Sequence, residues 1–123
     1  MEGGESLQTS KSYRIRPCTR EDDDDLLNVS LKTGDGGNDA TSFFNDPKIL
    51  GYRFVLSYVH LCPDLCFALE DSEGNVCGFV VAALNSTVFY EQYVNEWLPK
   101  MKQLYPIIPS GKQLATLIRI HYT

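Results

Sequence analysis

Histidine is nearly missing from this chain: His60 and His121 are the only two in 123 residues. The four cysteines, Cys18, Cys62, Cys66 and Cys77, fit no metal pattern. Cys62 and Cys66 enclose Pro63-Asp64-Leu65, which is not a Cys-x-x-Cys pair. The expectation is four reduced thiols acting as small core residues and no metal, with a disulfide or a zinc site as the alternatives. Positive charge is also scarce, with 11 Lys and Arg against 16 Asp and Glu and a net charge of −5. Arg14, Arg16 and Arg20 form the one local basic cluster, and acidic residues 21–25 follow at once. That balance excludes nucleic-acid binding through a broad basic surface. Long apolar runs are absent, because Arg, Asp, Glu or Pro interrupts each of them, so no membrane segment is expected. Met1-Glu2-Gly3-Gly4-Glu5-Ser6 has neither the basic start nor the apolar stretch of a signal peptide, which points to the cytoplasm or nucleus. No Gly-x-Ser-x-Gly elbow, Walker loop or dinucleotide fingerprint occurs. Glu70 and Asp71 are adjacent carboxylates, but strand neighbours point to opposite faces and cannot act on one bond.

What is present suffices for one domain: 43% hydrophobic residues over a length that can bury a real core. Residues 1–12 are mostly Gly, Ser, Glu, Lys and Gln with a single Leu, and read as a disordered tail, leaving 13–123 for the domain. Tyr13-Arg14-Ile15-Arg16-Pro17 reads as a short strand at or near a sheet edge, Ile15 half-buried. Thr19-Arg20-Glu21-Asp22 has capping-box spacing with Asp in place of Glu, and the acids after it suit a solvated helix start. Leu26, Leu27 and Leu31 supply the buried stripe, and Gly34 stops the helix. A loop follows to Phe44. Its Gly34, Asp35, Gly36, Gly37 and Asp39 are the one compact polar group placed for a ligand, with turn-shaping hydrogen bonds as the plainer explanation.

Asp46 is expected to cap the next helix, with Pro47 in its first position and an apolar side of Leu50, Phe54, Val55, Tyr58, Val59 and Leu61. Pro63 and Asp64 end it, and His60 within it is expected to be structural or exposed. Phe67-Ala68-Leu69-Glu70-Asp71 and Cys77-Gly78-Phe79-Val80-Val81-Ala82-Ala83-Leu84 are strands joined by a Ser72-Glu73-Gly74-Asn75 turn. The second is almost wholly apolar and is expected to be a central strand covered on both faces. A third helix opens near Ser86 or Thr87, with Tyr90, Tyr93, Val94, Trp97, Leu98, Met101, Leu104 and Tyr105 at three- or four-residue spacing, a stripe expected to pack as core, with a ligand groove as the alternative. Pro99 predicts a kink at Leu98 or two consecutive pieces. Residues 114–122 suit one last strand.

The order of these parts, with the Thr33-Gly34-Asp35-Gly36-Gly37-Asn38-Asp39-Ala40-Thr41 loop and Glu96-Trp97-Leu98-Pro99-Lys100, resembles the GNAT-fold, acetyltransferase-like domain found at the C-terminus of animal O-GlcNAcases. The resemblance runs from Tyr13 to Pro106. It implies an α+β class, a mixed and mainly antiparallel sheet, and the N-terminal half of an acyl-CoA N-acyltransferase fold, β-α-α-β-β-α. In that fold the fourth strand and next helix carry Arg/Gln-x-x-Gly-x-Gly/Ala, whose backbone N–H groups hold the pyrophosphate of coenzyme A. No glycine from Gly34 to Gly111 has that setting. The resemblance therefore implies no catalytic residue and no cofactor in this chain, acetyl-CoA entering only if a complete domain is assembled. The Gly/Asp loop maps to the wall of the acceptor site. A truncated pseudoenzyme acting as a binding or interaction module is the leading expectation, with a protein partner or self-association at an open sheet edge. An N-acetyltransferase completed by a longer isoform or second chain, and a non-functional gene fragment, are the alternatives.

Overall fold

The computed structural model describes residues 12–105. The expected tail, apart from Ser12, and the expected strand at 114–122 lie outside the described residues.

Three strands, β1 (Arg14–Pro17), β2 (Phe67–Glu70) and β3 (Val76–Val80), form one antiparallel sheet in the order β1-β2-β3. Arg14 pairs with Glu70 and Arg16 with Ala68, while Phe67 pairs with Val80 and Ala68 with Phe79. Alternation then puts Arg14, Arg16, Ala68, Glu70 and Phe79 on one face, and Ile15, Phe67, Leu69 and Val80 on the other. The Asp71 carboxylate shapes the hairpin turn by accepting from the Glu73 and Asn75 amides, both at 2.9 Å.

Helix α1 (Asp23–Lys32) is led in by a tight turn at Arg20–Asp22, where the Thr19 amide donates to the Asp22 carboxylate at 2.8 Å. This is the expected capping-box contact, with the shorter Asp reaching back. Helix α2 runs through Ile49–Gly51, a wide π-type turn at Tyr52–Leu56, and Ser57–Leu61. Helix α3 has the same construction in Ser86–Gln92, Tyr93–Trp97 and Leu98–Leu104. Asn85 caps it by accepting from the Val88 amide at 3.1 Å. Pro99 lacks an N–H, and the break expected at Leu98 is realised one turn earlier as the π-type turn.

All three helices gather on the Ala68 face. Leu26 and Leu27 of α1, Val55, Leu56 and Val59 of α2, and Tyr93 and Trp97 of α3 form the core with Ala68, and Phe79 packs against it. Each fully buried aliphatic side chain there contributes about 2 kcal/mol. Gly51 lets α1 and α2 touch: a Cβ there would lie 2.5 Å from Leu27 Cδ2 and 2.8 Å from Ser30 Oγ.

Several expectations need correction. Ile15 is 72% exposed, and the inward residue of β1 is Arg16, drawn onto acidic partners. β3 pairs only with β2 among the described residues, ends at Val80, and leaves Cys77 and Val80 exposed, so it is not the doubly covered central strand expected. The helices sit on one face of the sheet, and the described residues provide nothing to cover the other. Asp46 does not open α2; its carboxylate accepts from the Lys48 amide at 2.8 Å, leaving Pro47 outside a helix that begins at Ile49. Phe54, Tyr90, Val94 and Leu104 are exposed, whereas Tyr93 and Trp97 are buried, so the aromatic side of α3 is only partly core. The acidic helix start is not uniformly solvated either, since Asp22 is buried and Asp23 pairs with a histidine.

Candidate functional site

The Gly/Asp loop leaves α1 at Lys32 and is built from its own backbone. Asp35 and Asn38 exchange both amide hydrogen bonds, at 3.0 and 2.8 Å, closing a two-residue turn over Gly36 and Gly37. Their φ values of 59° and 95° lie in the region that favours glycine. The Gly37 amide returns to the Thr33 carbonyl at 3.0 Å, and the Ala40 amide reaches Leu31 O at 2.9 Å. Ala40, almost fully buried, pins the loop while residues 32–39 stay exposed. Asp39 accepts from the Thr41 amide at 2.8 Å and from the Thr41 hydroxyl, and its other oxygen lies 3.5 Å from Lys32 Nζ. The Thr41 hydroxyl, then its amide, hold the Asp39 carboxyl below the usual carboxylate range.

The five expected residues do not act alike. Asp35, Gly36, Gly37 and Asp39 share an exposed tongue. Gly34 faces inward, where a Cβ would meet Leu50 Cδ2 at 2.4 Å, so it serves packing. The tongue offers carboxylates and a fixed backbone, a surface suited to accepting hydrogen bonds. It carries no nucleophilic side chain.

Two polar clusters were not expected. Arg16 grips Asp22 with two hydrogen bonds of 2.8 Å and Glu70 with one of 2.6 Å, and Arg14 adds 2.9 and 3.2 Å bonds to Glu70. The network clamps β1, the start of α1 and β2. The Arg16 hydrogen bonds hold Asp22 and Glu70 below their ordinary values, and the same carboxylates push the guanidinium upward. In the second cluster His60 Nε2 lies 2.9 Å from Asp23 Oδ2, and its ring meets Trp97 edge-on at 5.1 Å between centroids. Trp97 Nε1 donates to Tyr52 O at 3.0 Å, which joins α3 to α2. At the far end of α3 the Tyr105 hydroxyl donates to Asp46 at 2.6 Å, and burial, then that carboxylate, push the phenol upward.

Acyl-CoA is the cofactor such a fold implies, and the described residues do not fit its pyrophosphate. That group needs free amides at a helix start. α1 opens on Asp23, Asp24 and Asp25, acids that repel a phosphate, and the first turn of α3 is capped by Asn85. Among the described residues no group of three or more His, Cys, Asp or Glu side chains is placed to hold a metal ion. No described helix is long and apolar enough to cross a membrane.

The fold, a three-stranded antiparallel sheet with helices inserted between β1 and β2 and after β3, defines a GNAT-like domain. It superposes on the crystal structure of SsHAT with a TM-score of 0.77 at 28% identity, covering 90% of this chain and 56% of that one. The sequence is 30% identical over 112 residues, 91% of the chain, to Protein O-GlcNAcase of Rattus norvegicus, and to the same degree to that of Mus musculus. This chain is a GNAT-like domain related to O-GlcNAcase, and it spans 12% of the length of those relatives. No family model matches it.

Proposed function

We propose that this GNAT-like domain is a pseudo-acetyltransferase: a binding or interaction module that does not turn over acetyl-CoA by itself. The observation that carries the reading is the acidic first turn of α1, Asp23 to Asp25, and the Asn85 cap on α3, in a sequence without Arg/Gln-x-x-Gly-x-Gly/Ala. The exposed tongue of Asp35, Gly36, Gly37 and Asp39 is the surface we assign to ligand contact. The outer edge of β3, unpaired among the described residues, is where a protein partner or second copy would add a strand. We place this activity in the cytoplasm or nucleus. Calorimetric titration of the chain with acetyl-CoA tests the reading. It predicts no saturable heat at micromolar concentrations, and micromolar binding would sink it.

A second reading is favoured by the coverage of SsHAT, since this chain matches 56% of that one. In it the chain contributes the acceptor side of an acetyl-CoA-dependent N-acetyltransferase, completed by a longer isoform or a second chain. Acetyl-CoA binding that appears only in such a longer form would favour it.

A further inference from the structure

Two cysteines stand opposite each other where β1 meets the residue before β2. The antiparallel register runs from Arg14 with Glu70 to Pro17 with Phe67, and its next step sets Cys18 against Cys66. The Cys18 amide extends the ladder by one bond, donating to Cys66 O at 3.0 Å, while the Cys66 amide turns to Pro63 O at 3.3 Å. Hydrogen-bonded antiparallel partners have Cα atoms about 5.5 Å apart, inside the ~4.4–6.8 Å range of disulfides. Both thiols point into the same core cluster, with Cys18 8% and Cys66 0% exposed.

We propose that Cys18 and Cys66 form a reversible disulfide, a modification site that clasps the edge strand β1 to the entry of β2. The co-reactant is a small disulfide such as oxidised glutathione. One protein thiolate attacks a glutathione sulfur, forming a mixed disulfide and releasing one glutathione thiolate. The second protein thiolate then attacks the protein-side sulfur and expels the other. Two protein thiols are oxidised, one glutathione disulfide is reduced to two thiols, and the two protons pass to the departing thiolates.

Burial pushes the Cys18 thiol up to about 11, and the Cys66 thiol is raised for the same first reason. This slows exchange in the closed fold without setting its equilibrium. β1 is four residues long and paired on one side among the described residues, so local opening gives a route to both sulfurs. Two competitors exist. Cys66 Sγ donates to Cys62 O at 3.3 Å, which keeps Cys62 nearby, and the exposed Cys77 can reach another molecule.

The test refolds the full chain from urea in a buffer of reduced and oxidised glutathione, then alkylates, digests and maps it by mass spectrometry. A Cys18–Cys66 linked peptide is expected, lighter by two hydrogens than the separate thiol peptides, with Cys62 and Cys77 alkylated. The same bridge is expected in the double variant Cys62→Ala, Cys77→Ala, which keeps both core partners. In the oxidised chain the Cys18 amide should exchange its hydrogen more slowly by at least about tenfold, because the clasp suppresses strand opening. A bridge between Cys62 and Cys66, or alkylation of both Cys18 and Cys66 at equilibrium, overturns the proposal. None of these readouts depends on acetyl-CoA, so this result and the proposed function stand or fall separately.

Discussion

Trp97→Ala is expected to cost about 3–5 kcal/mol of folding free energy, the usual range for an aromatic-to-alanine change in a core. A domain of this size has roughly 5–15 kcal/mol in total, so the variant should be largely unfolded in mild denaturant. The indole is 2% exposed and meets Tyr52 at 6.5 Å and His60 at 5.1 Å between ring centroids. Its N–H also supplies the hydrogen bond to Tyr52 O. Removing it leaves a void between α2 and α3 and frees the His60 ring. Trp97→Phe separates the two contributions: most of the volume stays while the hydrogen bond is lost, for a cost of about 1–2 kcal/mol. Urea unfolding followed by circular dichroism reads both variants, since this is the chain's single tryptophan and fluorescence disappears with it.

Asp22→Asn is the second large effect, expected to destabilise by about 2–4 kcal/mol. The substitution leaves a neutral amide where a carboxylate takes two hydrogen bonds from Arg16 and one from the Thr19 amide. It weakens the helix cap and the clamp on β1 together. The pH dependence has a definite sign. Asp22 and Glu70 are held below their ordinary values of 3.8 and 4.5, chiefly by Arg16 hydrogen bonds. Carboxyls depressed in the folded chain add stability above their ordinary values, and that stability is lost as pH falls through the lowered ones. Wild-type stability should therefore decline below about pH 4, and the Asp22→Asn curve should decline less, so the two approach each other in acid. Denaturation midpoints at neutral and acid pH decide this, and parallel curves would remove Asp22 from the acid response.

The helices were legible in the sequence because their information is local. Leu26, Leu27 and Leu31 recur at helical spacing and are buried, and the Thr19-to-Asp22 spacing gave the helix entry. The hairpin was equally plain from its turn residues. What stayed hidden depends on positions far apart in the chain. Arg16 and Glu70 are 54 residues apart, and Asp23 and His60 are 37 apart, so no window holds both partners. That separation is why the acids after Thr19 looked solvated and why His60, read as structural or exposed, had no named partner. Ile15 was misjudged for a related reason: alternation fixes which residues share a face but not which face the helices cover. Residues 77–84, free of charge, suggested a doubly covered strand, yet among the described residues β3 has a neighbour on one side only.

The Gly/Asp loop was half legible. Two consecutive glycines announced a turn with positive φ, and the structure has that turn between Asp35 and Asn38. Composition could not reveal that Gly34 serves the packing of Leu50, but the bonds of Asp39 to Thr41 are the turn-shaping kind offered as the plainer explanation. The useful division is between groups already engaged in holding the fold and the exposed Asp35, Gly36 and Gly37 at the tongue's tip.

Release of free coenzyme A from acetyl-CoA, followed with a thiol reagent in the presence of a mixture of amine-bearing peptides, tests the central claim most directly. The account predicts that this chain leaves the rate at its uncatalysed value, and that Asp35→Asn and Asp39→Asn change nothing in it. Release that is saturable in acetyl-CoA and proportional to chain concentration would contradict the account and establish a working transferase.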